Sequence, residues 1–191
     1  MSRARIRRGN RQPASAVKRS LAISVRRAPG NASQARVTLS HGVRPAALGS
    51  TGTRALKCEG DGGTPLGRFA VRQVLYRADR VARPRTTLPI RAIGAHDGWC
   101  EDPADRNYNR LVKLSAESNA DRLKRDDHLY DLVLVLGYND HPRVRGKGSA
   151  IFVHLARPDY APTAGCIALS QHDLLMLLSR LRRNAKIVVT S

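Results

Sequence analysis

The sequence predicts one mainly β domain, a β-sandwich or a barrel-like sheet with one or two helices. Three features indicate this class. Apolar stretches such as LVLVLG (132–137) and AIFV (150–153) suit strands and fall far short of the roughly 18 to 20 residues that a membrane helix needs. Apolar and polar positions alternate in several segments. A leucine stripe of helical period lies near the C-terminus.

The N-terminal 34 residues predict a basic, flexible leader before a domain that spans 35–191. No Asp or Glu precedes Glu59, whereas 13 of the 34 Lys and Arg residues do. The remaining 21 basic and 15 acidic residues leave the rest of the chain with a net charge of only +6. A basic segment of this kind could bind nucleic acid, anionic lipid or an acidic polymer. Because aromatic residues for base stacking are few, we expect no specific nucleic-acid partner.

The first half of the domain contains two strand signals and a glycine-rich turn. The stretch QARVTLSHGV (34–43) alternates at Val37, Leu39 and Val43, which predicts a half-buried strand. The stretch 59–67 holds four glycines and a proline and predicts a tight turn, after which Phe69 restarts a strand.

A long segment then interrupts this pattern. Residues 79–128 are rich in Pro, Arg and Asp and lack a clear period. The segment is too long for a plain loop, so it is either disordered or a functional insertion. Its single Trp99 favours packing over the core.

The C-terminal third predicts two buried strands, a helix and a last strand. The apolar segments 131–138 and 149–156 flank a polar loop at 139–148, which predicts a wide hairpin. Ser170 and Asp173 form a capping pattern for a helix. Its core face is given by leucines at i, i+3, i+4 and i+7: Leu174, Leu177, Leu178 and Leu181.

Three cysteines at wide spacings favour neither a disulfide framework nor a metal site. A pairing of Cys58 with Cys100 stays open. Cys166 follows a turn and lies twelve residues after His154, at the end of an apolar run. A catalytic thiol needs a neighbouring base, and His154 could supply it. Gly165 permits an unusual φ, and the amides of Ala164, Gly165 and Cys166 could form an oxyanion hole. A buried thiol and an inert strand histidine remain the alternative.

The stretch around Cys166 resembles the signature of the L,D-transpeptidase catalytic domain family. In that family a strand histidine, here matched by His154, precedes a turn that carries the nucleophile. The turn is matched by Thr163, Ala164, Gly165 and Cys166, and DGGTPLGRF (61–69) is similar to the family's Thr-Pro-x-Gly-x-Phe element. The resemblance covers roughly residues 35–190.

The resemblance implies a mainly β transpeptidase fold with a long inserted segment and a cysteine acyl transfer on peptidoglycan stem peptides. It implies cross-link formation, with L,D-carboxypeptidase hydrolysis or a non-catalytic basic binding protein as alternatives. Acyl transfer by a thiolate requires no cofactor or metal. The location that the resemblance implies is the periplasm or the cell envelope. LAISV (21–25) is too short for a secretory signal, so a cytoplasmic location stays open. We expect no transmembrane segment and, by default, a monomer.

The sequence also departs from the family pattern. Ala164 stands where a second histidine is common, Leu155 where glycine is frequent, and Ala168 where an arginine often follows. Another cation must therefore hold the substrate carboxylate, and we expect Arg157 or Arg125 to do so. Thr163, Ala164 and Tyr138 are the other predicted substrate contacts, and a core tyrosine is an equal alternative for Tyr138.

Overall fold

A closed, barrel-like sheet forms the centre of the molecule in a computed structural model that describes residues 21–115 and 120–191. Its strands are β1 (Ala22–Arg27), β2 (Gln34–Leu39), β3 (Gly42–Ala47), β6 (Gly67–Tyr76), β11 (Leu132–Leu136), β12 (Phe152–Leu155), β13 (Ile167–Leu169) and β14 (Lys186–Thr190). Their order is β11-β12-β13-β3-β2-β1-β14-β6, and β6 pairs back with β11 to close the ring. The predicted barrel-like, mainly β class is confirmed.

Smaller strands lie outside this ring. β7 (Ile90–Ala92) extends the sheet beside β6, and β4 (Thr53–Arg54) pairs with β5 (Thr64–Pro65). A separate three-stranded sheet consists of β8 (Asp97–Cys100), β9 (Arg110–Lys113) and β10 (Asp121–Arg122).

Strand β11 shows why its sequence is apolar without interruption. Leu132, Leu134 and Leu136 face the barrel interior, whereas Val133 and Val135 belong to a second apolar cluster on the outer side. A strand covered on both faces needs no polar positions, so its sequence reads as a continuous apolar run. The barrel therefore has an inner core and an outer, covered face.

The segment 79–128 provides that cover. Trp99 packs its ring edge-on against Phe152 of β12, with 5.0 Å between centroids, and Leu123 is fully buried beside them. The expected packing of this insertion over the core is thus observed, while its residues 116–119 lie outside the described residues.

The first strand lies upstream of the boundary that the sequence suggested. β1 occupies residues 22–27, within the expected leader, and pairs with β2 on one side and β14 on the other. Ile23 and Val25 are buried in the inner core, so the folded domain includes this strand. Alternation over only two apolar positions was too short to reveal it. Residues 1–20 of the expected leader lie outside the described residues.

The segment 34–43 is a hairpin and not one strand. The chain turns at Ser40 and His41 between β2 and β3, which leaves Val43 55% exposed. A turn between two strands resets the alternation, so Val43 does not share the face of Val37 and Leu39.

Helix α1 (Gln171–Arg180) begins as predicted. The Ser170 side chain accepts a hydrogen bond from the Asp173 amide, and Leu174, Leu177 and Leu178 are buried in the barrel's inner core. Among the described residues, no helix is long and apolar enough to cross a membrane.

Candidate active site

His154 and Cys166 lie on neighbouring strands. β12 and β13 run parallel, with His154 opposite Ala168 in the register. Side chains two residues apart on a strand share a face, so Cys166 shares a face with Ala168 and therefore with His154. This is the outer face of the barrel, beneath the segment 79–128. The fold thus places the two predicted catalytic side chains diagonally across one strand pair.

The Cys166 thiol is buried and held by backbone groups of β12 and the residues before it. Its Sγ donates to the Ala150 carbonyl at 3.1 Å and accepts from the Phe152 amide at 3.4 Å. Burial raises the pKa of Cys166 to about 12, and the Phe152 amide opposes this only in part. Ala150 adopts a φ of 51°, which costs free energy for a non-glycine residue, and its carbonyl is the acceptor of the thiol. The resting sulfur is therefore a protonated thiol.

The His154 ring is oriented by the residue that follows it. Nδ1 lies 2.8 Å from the Leu155 carbonyl oxygen, and because a carbonyl only accepts, Nδ1 carries the proton. Nε2 is then the basic nitrogen. Burial lowers the pKa of His154 to about 4, so the imidazole is neutral. Tyr130 packs edge-on against the ring at 5.4 Å.

Among the described residues, no hydrogen bond joins the His154 ring to the Cys166 sulfur. The pair is a neutral imidazole and a neutral thiol on one face, not a preformed ion pair. Such an arrangement can transfer a proton only as the sulfur attacks, because neither charged form is stabilised beforehand.

The turn before Cys166 is fixed by its own polar groups. Thr163 Oγ1 accepts from the Gly165 amide at 3.1 Å and donates to the Cys166 carbonyl at 2.7 Å. Gly165 has a φ of 137°, and a Cβ there would lie 2.8 Å from the Gly63 carbonyl oxygen. Glycine is required at this position by both φ and space. Since Thr163 occupies the Gly165 amide, the oxyanion donors that remain from the predicted three are the amides of Ala164 and Cys166.

A cavity of about 240 Å³ opens beside His154. Thr163, Ala164, Arg125 and Arg157 contribute to its lining, whereas Cys166 does not. Arg125 is held by a bidentate pair with Asp127 (2.8 and 2.9 Å) and lies over the Tyr130 ring, while Arg157 is exposed at the cavity wall. The two cations proposed from the sequence therefore flank the histidine.

Tyr138 is the one predicted contact that the fold places elsewhere. It lines a different cavity, packs edge-on against Phe69 at 5.6 Å, and donates its hydroxyl to the Lys147 carbonyl. The alternative of a structural tyrosine describes its surroundings better, because its one polar atom is already bonded within the protein.

Sequence reasoning missed two charged groups next to the nucleophile turn, Lys57 and Asp61. They form an ion pair of 2.7 Å between a buried lysine and a partly buried aspartate, at the start of the glycine-rich segment and close to Gly165. The Asp-Gly-Gly stretch at 61–63 is a signal for an Asx turn, which would have drawn attention to Asp61. The residue that pairs with it could not be read from that signal.

The fold also gathers a histidine and aspartate cluster that spacing did not reveal. Potential ligand atoms of His41, His172 and Asp173 lie within 4.8 Å of one another where the β2–β3 turn meets α1. Asp173 already pairs with Arg44 and His41, both at 3.3 Å, and lies in the first turn of the helix. A cation there would compete with Arg44 and with the positive helix end, so this cluster is best explained as an anchor of the turn on α1. A larger cavity of about 720 Å³ near His41 contains no predicted site residue.

Comparison with known proteins gives one result that bears on these residues. A model of the L,D-transpeptidase catalytic domain family matches residues 32–189, which include β12, β13, the turn between 163 and 166, and the cover. No curated protein and no solved structure matches the chain. Because the match spans most of the sequence and includes the strand pair that holds His154 and Cys166, the chain belongs to the L,D-transpeptidase catalytic domain family.

Proposed function

We propose that this protein is a cysteine acyltransferase that cross-links peptidoglycan stem peptides, with Cys166 as nucleophile and His154 as general base. Membership of the family supports an activity of the L,D-transpeptidase kind on peptidoglycan. The observation that carries the finer assignment is the shared outer face of His154 and Cys166, next to a cavity with two arginines.

In the proposed first step, Nε2 of His154 takes the Cys166 proton as Sγ bonds to the carbonyl carbon before the terminal D-alanine. The carbon–nitrogen bond then breaks, and the imidazolium returns the proton to the leaving amine. An amine of a second stem peptide attacks the thioester and its proton passes to His154. The carbon–sulfur bond then breaks, and the imidazolium returns the proton to the departing sulfur, which leaves as a thiol. Water in place of the amine gives the carboxypeptidase reaction. The amides of Ala164 and Cys166 are the donors for both tetrahedral oxyanions, each worth about 3 to 4 kcal/mol in such sites.

The neutral resting pair favours attack in concert with proton transfer. A thiol with a pKa of about 12 provides almost no thiolate at neutral pH. His154, with a pKa near 4, is free of a proton at that pH and able to accept one. Because Cys166 does not line the cavity, the stem peptide must displace part of the cover to reach the sulfur.

Arg157 and Arg125 are the proposed anchors of the substrate carboxylates. Arg125 is the rigid one, since Asp127 and Tyr130 hold it, and Arg157 is the exposed one. In Arg157→Gln we expect a higher KM with little change in kcat, because a contact made equally in the ground state and the transition state changes binding alone.

Two measurements test the proposal. Incubation with a carbapenem should add one acyl group at Cys166, detected by mass spectrometry, and His154→Ala should lose this adduct. Cys58→Ser, which removes an exposed thiol, is the matched control and should acylate like the natural chain. Tetrapeptide muropeptides should then yield cross-linked dimers and free D-alanine.

The outcomes separate the alternatives. Tripeptide without dimer would assign the hydrolase in place of the transpeptidase. Absence of both acylation and turnover, together with duplex DNA binding that weakens steeply with salt, would favour a non-catalytic basic binding protein. We further propose a periplasmic or envelope location, and recovery of a tagged chain entirely in the cytosol would contradict it.

A further inference from the structure

Lys57 is a buried cation at the edge of the candidate active site. The residue is only 8% exposed. Its ammonium pairs with Asp61 at 2.7 Å and donates to the Cys58 carbonyl at 3.3 Å. Lysines are seldom buried unless they are paired, because the charge loses its hydration. The Asp61 carboxylate supplies that pairing for Lys57.

Asp61 holds the loop that carries this lysine. One carboxylate oxygen accepts from the Gly63 amide and the other from the Cys58 amide, each at 2.8 Å. Burial alone would raise the pKa of Asp61, but the Lys57 ammonium and these two amides outweigh it and lower the pKa. The loop is thus a rigid frame that fixes the ammonium in one place.

The frame places the ammonium against the nucleophile turn. A Cβ at Gly165 would lie 3.5 Å from Lys57 Nζ and 2.8 Å from the Gly63 carbonyl oxygen. On the other side, a Cβ at Gly148 would lie 2.9 Å from Lys57 Cε. Two glycines therefore make room for this side chain, one of them directly before Cys166.

We propose that Lys57 is a positioning residue that supports the Gly165–Cys166 turn and supplies the positive charge that stabilises negative charge on the sulfur during acyl transfer. This inference rests on the proposed function of Cys166. It provides a cation for a nucleophile that otherwise has buried, uncharged neighbours on its own strand pair.

Lys57 lowers the pKa of the Cys166 thiol, whereas the other titratable groups around it raise this pKa or are neutral. Burial is the main cause of the raised pKa of Cys166, Glu101 and Asp121 raise it further, and Lys57 lowers it. The charges of Lys57, Glu101 and Asp121 act on the thiol, and the titratable side chain of His154 shares its face of the strand pair. Arg125 lies beyond Tyr130 and pairs with Asp121 and Asp127. Of the groups that act on the thiol, Lys57 is the cation, and it favours negative charge on the sulfur.

The test is the pH profile of Cys166 alkylation by iodoacetamide in the full-length chain, followed on the Cys166 peptide by mass spectrometry. Lys57→Met keeps the stem and removes the charge, so alkylation at a fixed alkaline pH should slow about tenfold, the effect of one pKa unit. Lys57→Arg should stay within about twofold of the natural rate. Lys113→Met is the matched control, because Lys113 also pairs with an aspartate at 2.7 Å, and should leave the profile unchanged.

Asp61→Asn separates charge from structure. Removing the negative partner leaves the Lys57 charge uncompensated, so alkylation of Cys166 should become faster, the opposite of Lys57→Met. If both variants slowed alkylation, the ion pair would be a structural clamp and the proposal would be overturned. An unchanged profile in Lys57→Met would overturn it too. Should Lys57→Met fail to fold, the direction seen in Asp61→Asn still decides.

The same data distinguish this inference from the proposed function. Alkylation that follows the charge at position 57, with no turnover of muropeptides, would support an effect of the Lys57 charge on the Cys166 sulfur and contradict the acyltransferase. Turnover that persists in Lys57→Met, with an unchanged alkylation profile, would support the enzyme and contradict the role of Lys57.

Discussion

Gly165 meets two requirements at once, an unusual φ and a lack of space for a side chain. Its φ of 137° is rarely adopted by other residues, and its missing Cβ leaves space that the Gly63 carbonyl closes to 2.8 Å. Gly165→Ala should therefore destabilise the fold by about 2 to 5 kcal/mol, from backbone strain and overpacking together. It should also abolish acylation of Cys166, because the turn must shift.

Gly60→Ala is the control for the backbone part alone. Gly60 has a φ of 73° with nothing within 4 Å of an added Cβ. Denaturant unfolding should show a cost of about 1 kcal/mol for this variant and full acylation. If both variants lost the same free energy of unfolding, the Gly63 carbonyl must move aside, and space at Gly165 would not be limiting.

The lowered pKa of His154 predicts how the free energy of unfolding changes with pH. Its pKa is about 4 in the folded protein and 6.5 as the ordinary value, so between these values the unfolded chain binds a proton that the native ring does not. The contribution of His154 to the free energy of unfolding is complete above pH 6.5 and is lost as the pH falls towards 4. The loss amounts to at most about 3 kcal/mol. Urea titrations at pH 7.5 and 4.5 measure it.

His154→Asn provides the reference for that measurement, since an amide can still donate to the Leu155 carbonyl but does not titrate. The difference between the natural chain and the variant isolates the histidine from Glu101. Partial burial and nearby Asp121 and Glu59 raise the pKa of Glu101 to about 7, so its contribution is lost as the pH rises from 4.5 to 7. Identical pH dependence in both proteins would mean that His154 is solvated in the native state.

Part of the candidate site could be predicted from the sequence because its residues lie on one strand and one turn: His154, Thr163, Gly165 and Cys166. The Lys57–Asp61 pair could not, since its distance from Cys166 depends on how a glycine-rich loop packs against a distant strand. Tyr138 shows the opposite case, a residue that the sequence placed in the site and the fold does not. Its place at a strand end made it a candidate, but only the fold shows its hydroxyl bonded to Lys147.

At the scale of elements, the segment 79–128 covers the outer face of the barrel and limits access to Cys166. Leu123 is fully buried in the outer apolar cluster that also contains Cys166. Leu123→Ala should cost about 2 to 5 kcal/mol and loosen the cover. We expect faster alkylation of Cys166 under native conditions, because the sulfur becomes accessible without global unfolding.

Leu178→Ala is the matched control in α1. Leu178 is equally buried, but it belongs to the inner core of the barrel. The free energy of unfolding of the Leu178→Ala variant should fall by a similar amount, while alkylation of Cys166 stays slow. Equal acceleration in both variants would indicate that exposure of the sulfur follows general destabilisation and not the cover.

The strands and helix whose apolar periods are long could be predicted from the sequence, but their pairing order could not. Residues 131–138, 149–156 and the helix after Ser170 match β11, β12 and α1. The closure of β6 on β11 joins segments far apart in the chain, and the loop between β12 and β13 does not by itself reveal that these two strands pair in parallel. Such contacts are set by the packing of the whole barrel and leave no local pattern.

At the scale of the whole molecule, the closed barrel depends on its first strand. β1 pairs with β14 and β2, and Val25 is 2% exposed in the inner core. Without β1, both neighbours would become unpaired edges and the ring would open, which favours aggregation. A truncation that begins at residue 28 should therefore yield no soluble folded domain.

A truncation that begins at Leu21 should keep the midpoint of thermal unfolding within about 2 °C of the full-length value, since a change of 1 kcal/mol shifts a domain of this size by about 2 to 4 °C. All pairs of β1 are retained in this variant, including the Lys186 amide that donates to the Leu21 carbonyl. Circular dichroism melts of the two truncations beside the full chain make the comparison. A large fall for the Leu21 variant would show that residues 1–20 contribute to the stability of the barrel. A folded domain that starts at residue 28 would show that β14 and β2 can close the ring on their own.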